Sequence, residues 1–145
     1  MSYKTIDIPG GSTRFEDSPV VQIRGIKDGP VEVIIKYHAR ETTGGRPPLF
    51  GVITFTNVLE YRWTSDVIEY YPYNDSENIA FGLIQILDSK HIKDIVTKGP
   101  WHSLPNKRFG PNIEESEVKH FRLIFDEYGQ FDVIALGISV GESSE

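Results

Sequence analysis

The residue types that most often carry out chemistry are sparse in this chain of 145 residues. Four histidines occur singly, without the HxH or HxxxH spacing that brings two imidazoles to one metal ion. The chain has no cysteine, which excludes disulfides, thiolate zinc sites and cysteine nucleophiles. It also lacks the GxSxG nucleophile motif and the glycine-rich phosphate-binding motifs. We therefore predict no metal site, no cofactor and no enzyme; a hydrolase ranks below two binding functions because no nucleophile can be paired with a base.

The segment 99–112, GPWHSLPNKRFGPN, has the composition of a recognition loop. It shows no periodicity, contains three prolines, and is longer than the loops that compact domains usually leave without secondary structure. Aromatic and cationic side chains of this kind are enriched at binding hot spots. The alternative is a packed crossing loop whose two aromatic side chains plug the end of the fold while its cations are solvated. The predicted partner-binding residues are Trp101, His102, Lys107, Arg108 and Phe109.

Acidic residues are concentrated towards the C-terminus. The chain has a net charge of -6, and residues 109–145 hold eight Asp and Glu against two Lys and Arg. Such a surface suits a basic protein partner and not a nucleic acid, because complementary charge raises the association rate and fixes orientation. The residues assigned to this acidic surface are Glu114, Glu115, Glu117 and Asp132.

The chain is the length of one domain, 1–145, and is expected to be cytoplasmic. Its first residues lack the apolar core of a signal peptide, and no run approaches the roughly 18 apolar residues of a membrane span. We therefore expect no membrane association, and the sequence leaves the oligomeric state open.

Apolar and polar residues alternate with the period of two that is typical of half-buried strands. After residue 89 the apolar residues change to helical spacing, and Asp88-Ser89 offers an N-cap for a helix near 89–98. Many short strands separated by turn residues predict a mainly β fold, an antiparallel β-sandwich or open barrel of about eight strands with one short helix. The strands are expected near 3–8, 20–26, 31–39, 50–56, 58–64, 67–73, 79–87 and in a C-terminal pair.

The alternation over 53–63 is broken only at Asn57 and Val58. A bulge or short turn explains the break, and a polar group inside a ligand cavity is the alternative.

The last two strands form a hairpin whose register can be predicted from side-chain chemistry. A three-residue loop, 127–129, would place Gly129 at a positive φ, and the charges of the other face, Arg122 and Asp132, would be diagonal neighbours in solvent. The predicted register has Phe121 opposite Ala135, Leu123 opposite Val133 and Phe125 opposite Phe131, which gives one wholly apolar face.

This hairpin sequence, HFRLIFDEYG followed by FDVIA at 131–135, resembles the ending of small uncharacterised bacterial proteins, some of which are toxin-associated immunity proteins. The segment 86–95, ILDSKHIKDI, adds to the resemblance. The resemblance implies a protein-binding function without catalytic residues.

Two functions therefore remain from the sequence. The first is a non-enzymatic protein-binding module, in one form an immunity-type protein that neutralises a basic bacterial toxin. The alternative is a small-molecule-binding β-barrel, with a cavity lined by the aromatic residues of the middle strands, Tyr61, Trp63, Tyr70, Tyr71, Tyr73 and Phe81.

Overall fold

A computed structural model describes residues 2–14, 18–25, 30–41, 44–65, 82–98, 115–125 and 128–145. In this part of the chain seven strands form one antiparallel sheet in the order β1-β5-β6-β7-β4-β3-β2. The predicted mainly β antiparallel fold with one short helix is thus confirmed, as an open sheet that does not close into a barrel. The strands are β1 Tyr3–Ile6, β2 Val20–Gly25, β3 Val31–His38, β4 Phe50–Thr64, β5 Gly82–Ile86, β6 Lys119–Phe125 and β7 Gly129–Ser143; the helix α1 is Lys90–Lys98, and a 3-10 turn covers Glu115–Glu117.

The main core covers one face of the sheet, as the alternation along β3, β4, β6 and β7 requires. Tyr37 is completely buried there, and its hydroxyl donates a hydrogen bond to the carbonyl oxygen of Pro9 at 2.8 Å. Its ring lies against Gly51, where any Cβ would overlap it. The strand residues of this core are Val33, Ile35, Tyr37, Ile53, Phe55, Val58, Leu83, Phe121, Leu123, Phe125, Phe131, Val133 and Ala135.

A bulge in β4 confirms the predicted irregularity at Asn57. This residue has a φ of 51°, and the pairing with β7 shifts between Val58 and Glu60. The two strands expected at 50–56 and 58–64 are therefore one strand with a bulge. The shift reverses the alternation, so that Val58 joins the main core while Leu59 packs on the opposite face. Leu59 is therefore not on the face expected from the alternation, whereas Tyr61 and Trp63 pair with Val133 and Phe131 and lie on the side of the main core.

The hairpin of β6 and β7 keeps its predicted faces but not its predicted register. Phe121 pairs with Val133 and Leu123 with Phe131, two residues from the expected partners. A slip of two residues preserves which side chains share a face, so hydrophobic patterning could not distinguish the registers. The positive φ of Gly129 is confirmed at 120°.

The second face of the sheet is covered by α1. Ile92 and Ile95 of the helix pack with Val118 and with Ile134 of β7, and all four side chains are buried. The prediction of a helix near 89–98 is confirmed, and the Ser89 hydroxyl accepts a hydrogen bond from the Ile92 N–H at 3.3 Å as an N-cap. In the described part of the chain, no helix has the length and apolar character needed to cross a membrane.

Candidate functional site

The residues predicted to contact a partner have three different outcomes. Glu115 and Glu117 are exposed in the 3-10 turn, as an acidic surface requires. Asp132 is only 2% exposed, so its assignment to that surface is wrong. The remaining predicted residues lie outside the described residues: Trp101, His102, Lys107, Arg108, Phe109 and Glu114.

Asp132 lies at the centre of a buried hydrogen-bond network on the second face of the sheet. Arg122 is directly opposite it across β6 and β7, and its Nε donates to Asp132 Oδ1 at 3.0 Å. His120 lies two residues before Arg122 on the same face, with Nε2 2.7 Å from the same oxygen. Gln130, two residues along β7, donates from Nε2 to Oδ2 at 2.7 Å. These side chains are 1–3% exposed, so the face expected to be solvated is buried.

One assignment of donors and acceptors satisfies every hydrogen bond of this network. An ionised carboxylate only accepts, so His120 donates to Asp132 from Nε2. The neutral imidazole then accepts at Nδ1, and Ser89 Oγ donates to it over 2.7 Å. Ser89 in turn accepts from the N–H of Ile92. Arg122 and Asp132 bring opposite charges within 3.0 Å of each other in this buried cluster.

Every buried side-chain nitrogen and oxygen of the described residues has a hydrogen-bond partner, so the network leaves none unsatisfied. A fully satisfied buried network fixes the orientation of its members, because any rearrangement would break hydrogen bonds in a medium of low dielectric constant. The imidazole of His120 is therefore held with Nδ1 towards Ser89 and Nε2 towards Asp132.

Ser89 also lines a pocket of about 690 Å³ between the start of α1, the end of β5 and the 3-10 turn. Its side chain is nearly buried at 9% exposure, on the wall of this pocket. The pocket walls are partly apolar and partly charged, and their main side chains are Ile86, Ile92, Val118, Lys93, Lys119 and Glu115.

A second imidazole–carboxylate pair lies beside the network. His91, in the first turn of α1, has Nε2 2.7 Å from Oε1 of Glu60 on β4. Arg62 approaches the same Glu60 carboxylate oxygen at 3.9 Å. The rings of His91 and His120 are 6.4 Å apart, so this pair anchors the start of the helix next to the buried network.

Three aromatic side chains form a surface on the other side of the sheet, which we call the aromatic surface: Tyr61, Trp63 and Tyr128. Tyr61 is 41% exposed and Trp63 48% exposed. The indole Nε1 of Trp63 donates to the carbonyl oxygen of Tyr128 at 3.2 Å, and the two rings are 5.7 Å apart. Two of the side chains expected to line a barrel cavity, Tyr61 and Trp63, are thus at the surface; the other four lie outside the described residues.

Sequence reasoning missed the combination of Ser89, His120 and Asp132. The three positions come from the helix cap and two different strands, so no local motif unites them. The sequence places the polar residues His120, Arg122 and Asp132 among the apolar residues of one hairpin, and this pattern could have indicated a buried polar network.

The described residues include no group of three or more His, Cys, Asp or Glu side chains arranged to hold a metal ion. Comparisons with protein-family models, with curated proteins and with solved structures give no match to this chain. The function is therefore inferred from the geometry of the side chains described above.

Proposed function

We propose that the protein is a protein-binding module for a basic partner, of the immunity type that the sequence resemblance implies. The observation that carries the proposal is the exposed Trp63 of the aromatic surface. Tryptophan and tyrosine dominate binding hot spots because they bury a large area with few rotatable bonds.

The indole of Trp63 is already oriented before any partner binds. Its hydrogen bond to the Tyr128 carbonyl and its contact with the Tyr128 ring restrict both side-chain torsions. Tyr61 is two residues away on the same strand and therefore on the same face. A preorganised side chain such as Trp63 loses little entropy on binding, which favours its use as an anchor.

The charge of the molecule favours a basic partner. The chain carries a net charge of -6, and the exposed Glu115 and Glu117 add to its acidic surface. Charges outside the direct contact area mainly change the rate of association through long-range attraction, whereas buried aromatic anchors mainly change dissociation. The two surfaces therefore predict separable kinetic effects.

The test is capture of a partner from lysate of the source cells, followed by surface-resonance kinetics with the purified partner. Trp63→Ala should raise the dissociation rate by a factor of about 30, which corresponds to roughly 2 kcal/mol for an anchor residue. Tyr3→Ala is the matched control, because Tyr3 is an exposed aromatic residue of β1 at the edge of the sheet. Reversal of Glu115 and Glu117 to Lys should slow association at low salt and have less effect at high salt.

A partner that binds the Trp63→Ala variant as tightly as the wild-type protein would contradict this assignment. Equal increases in the dissociation rate for Trp63→Ala and Tyr3→Ala would also contradict it, because they would indicate that any exposed aromatic residue contributes and that Trp63 is not an anchor.

The pocket beside Ser89 favours a second candidate, a small-molecule binder. Its volume of about 690 Å³ lies in the range of ligand sites, and it combines apolar walls with a few polar groups. Native mass spectrometry of the freshly purified protein tests this candidate, because a retained ligand adds a defined mass that denaturation removes. Ile92→Trp should fill the pocket and abolish that mass, whereas loss of the mass from a variant of the aromatic surface would contradict the location.

A further inference from the structure

We propose that Ser89 is the nucleophile of an acyl-transfer site that takes small carboxylic esters, with His120 as its general base. This activity goes beyond protein binding and gives a chemical class to the molecule that the pocket would hold. The sequence led us to expect no enzyme activity, because no nucleophile could be paired with a base from the sequence alone. The proposed activity differs from that expectation.

The arrangement of Ser89, His120 and Asp132 has the geometry that activates a serine. The Oγ–Nδ1 distance of 2.7 Å is within the range for proton transfer to a general base. The 2.7 Å contact with Asp132 holds the other ring nitrogen as the N–H donor, which leaves Nδ1 unprotonated and facing the serine. Ser89 is one of the residues that line the pocket.

The reaction proceeds in two balanced steps. Ser89 Oγ attacks the ester carbonyl carbon and its proton moves to Nδ1 of His120; the carbon–oxygen bond to the alcohol then breaks, and the departing oxygen takes that proton. In the second step water attacks the acyl-serine and transfers a proton to Nδ1. The bond to Ser89 Oγ breaks, the proton returns to this oxygen, and the carboxylic acid leaves. Asp132 remains ionised throughout and stabilises the imidazolium.

The N-terminus of α1 provides electrostatic stabilisation at the reacting carbonyl. Ser89 is the N-cap of this helix, so the positive end of the helix dipole lies next to the nucleophile. Negative charge develops on the carbonyl oxygen in the tetrahedral intermediate, and fixed dipoles near that oxygen lower the barrier.

Arg122 determines which substrates can react. Its guanidinium donates to the same oxygen of Asp132 as His120, so the carboxylate stabilises an imidazolium less than it would without Arg122. A weakly stabilised imidazolium forms slowly, which limits activation of Ser89. The substrate should therefore be an ester with a good leaving group and not an amide. Apolar walls at Ile86, Ile92 and Val118 suit a short hydrocarbon acyl chain.

The test uses a fluorophosphonate probe, which forms a stable covalent bond to an activated serine with loss of fluoride. Incubation with the full-length protein should give one adduct, mapped to Ser89 by peptide mass spectrometry. Ser89→Asn should remove the adduct while keeping a side chain able to cap α1. His120→Gln should slow labelling by at least about a hundredfold, the usual contribution of a general base.

Ser139 provides the matched control, because it is an exposed serine of β7 outside the pocket and Ser139→Ala should label at the wild-type rate. The second measurement follows p-nitrophenyl butyrate, which should release p-nitrophenolate and leave a butyryl group on Ser89. An adduct at any other residue, labelling of His120→Gln at the wild-type rate, or no release above the buffer rate would each overturn the proposal. Circular dichroism of every variant excludes loss of folding as the cause. Failure of this test would leave the proposed protein binding unaffected, because Trp63 lies outside the pocket.

Discussion

Removing the carboxylate of Asp132 should destabilise the fold more than removing any exposed charge. In Asp132→Ala, the guanidinium of Arg122 would stay 3% exposed while losing its contact with the Asp132 carboxylate, and the donors of His120 and Gln130 would each lose an acceptor. Removal of one partner from a buried ion pair costs about 3–5 kcal/mol, because the remaining charge is desolvated without compensation. We therefore expect a loss of about 3–5 kcal/mol in the free energy of unfolding.

Urea denaturation followed by circular dichroism measures this loss through the midpoint and the slope of the transition. Glu142→Ala is the matched control, since Glu142 is an exposed acid of the same strand and its loss should change stability by less than about 0.5 kcal/mol. The double variant Arg122→Met/Asp132→Leu should recover part of the loss, because it removes both buried charges but still leaves His120 and Gln130 without their acceptor. If Asp132→Ala were as stable as Glu142→Ala, the carboxylate would not be the centre of a buried network.

Two further predictions concern the main core and the last hairpin. Gly129→Ala should lower the free energy of unfolding by at least about 1 kcal/mol, because Gly129 has a positive φ and a Cβ there would overlap the carbonyl of Thr64. Gly141→Ala is the control, since there is open space around Gly141. This control variant should unfold at nearly the same urea concentration as the wild-type protein. Tyr37→Phe should cost about 1 kcal/mol at neutral pH through loss of the hydrogen bond to Pro9. Burial raises the pKa of the Tyr37 phenol above its ordinary 10.0. The wild-type protein should therefore lose stability as the pH rises beyond 10.0, because ionisation of the phenol favours the unfolded state. An equal loss of stability at alkaline pH in the wild-type protein and in Tyr37→Phe would contradict this prediction.

The features predicted correctly from the sequence are those that depend on neighbouring residues. Alternation along β3 identified a strand whose alternate residues Val33, Ile35 and Tyr37 are completely buried. The cap at Ser89 and the change to helical spacing located α1, and the break at Asn57 located the bulge. Each of these signals is contained within one element, where side-chain period and backbone preference act directly.

The register of β6 and β7 could not be predicted because non-local contacts determine it. The observed register places Arg122 opposite Asp132, whereas the expected one made them diagonal neighbours. It also places Gly129 against the backbone of Thr64 on β4, which admits no side chain. Both contacts depend on elements that are distant in sequence, β4 next to Gly129 and α1 over the polar face. From the sequence, that polar face was expected to be solvated. Without the helix over that face, a buried Ser89–His120–Asp132 chain could not be inferred.

Stability and reactivity place opposite demands on Arg122. The fold requires a cation here, because Asp132 is buried and an unpaired carboxylate would be strongly destabilising. An efficient general base requires the reverse, since an adjacent cation disfavours the imidazolium that must form on His120. The structure therefore combines the Ser89–His120–Asp132 geometry of the proposal with a cation beside Asp132 that the fold requires. The proposed activity should therefore be restricted to esters with a good leaving group, whose carbonyl carbon can react with a weakly activated serine.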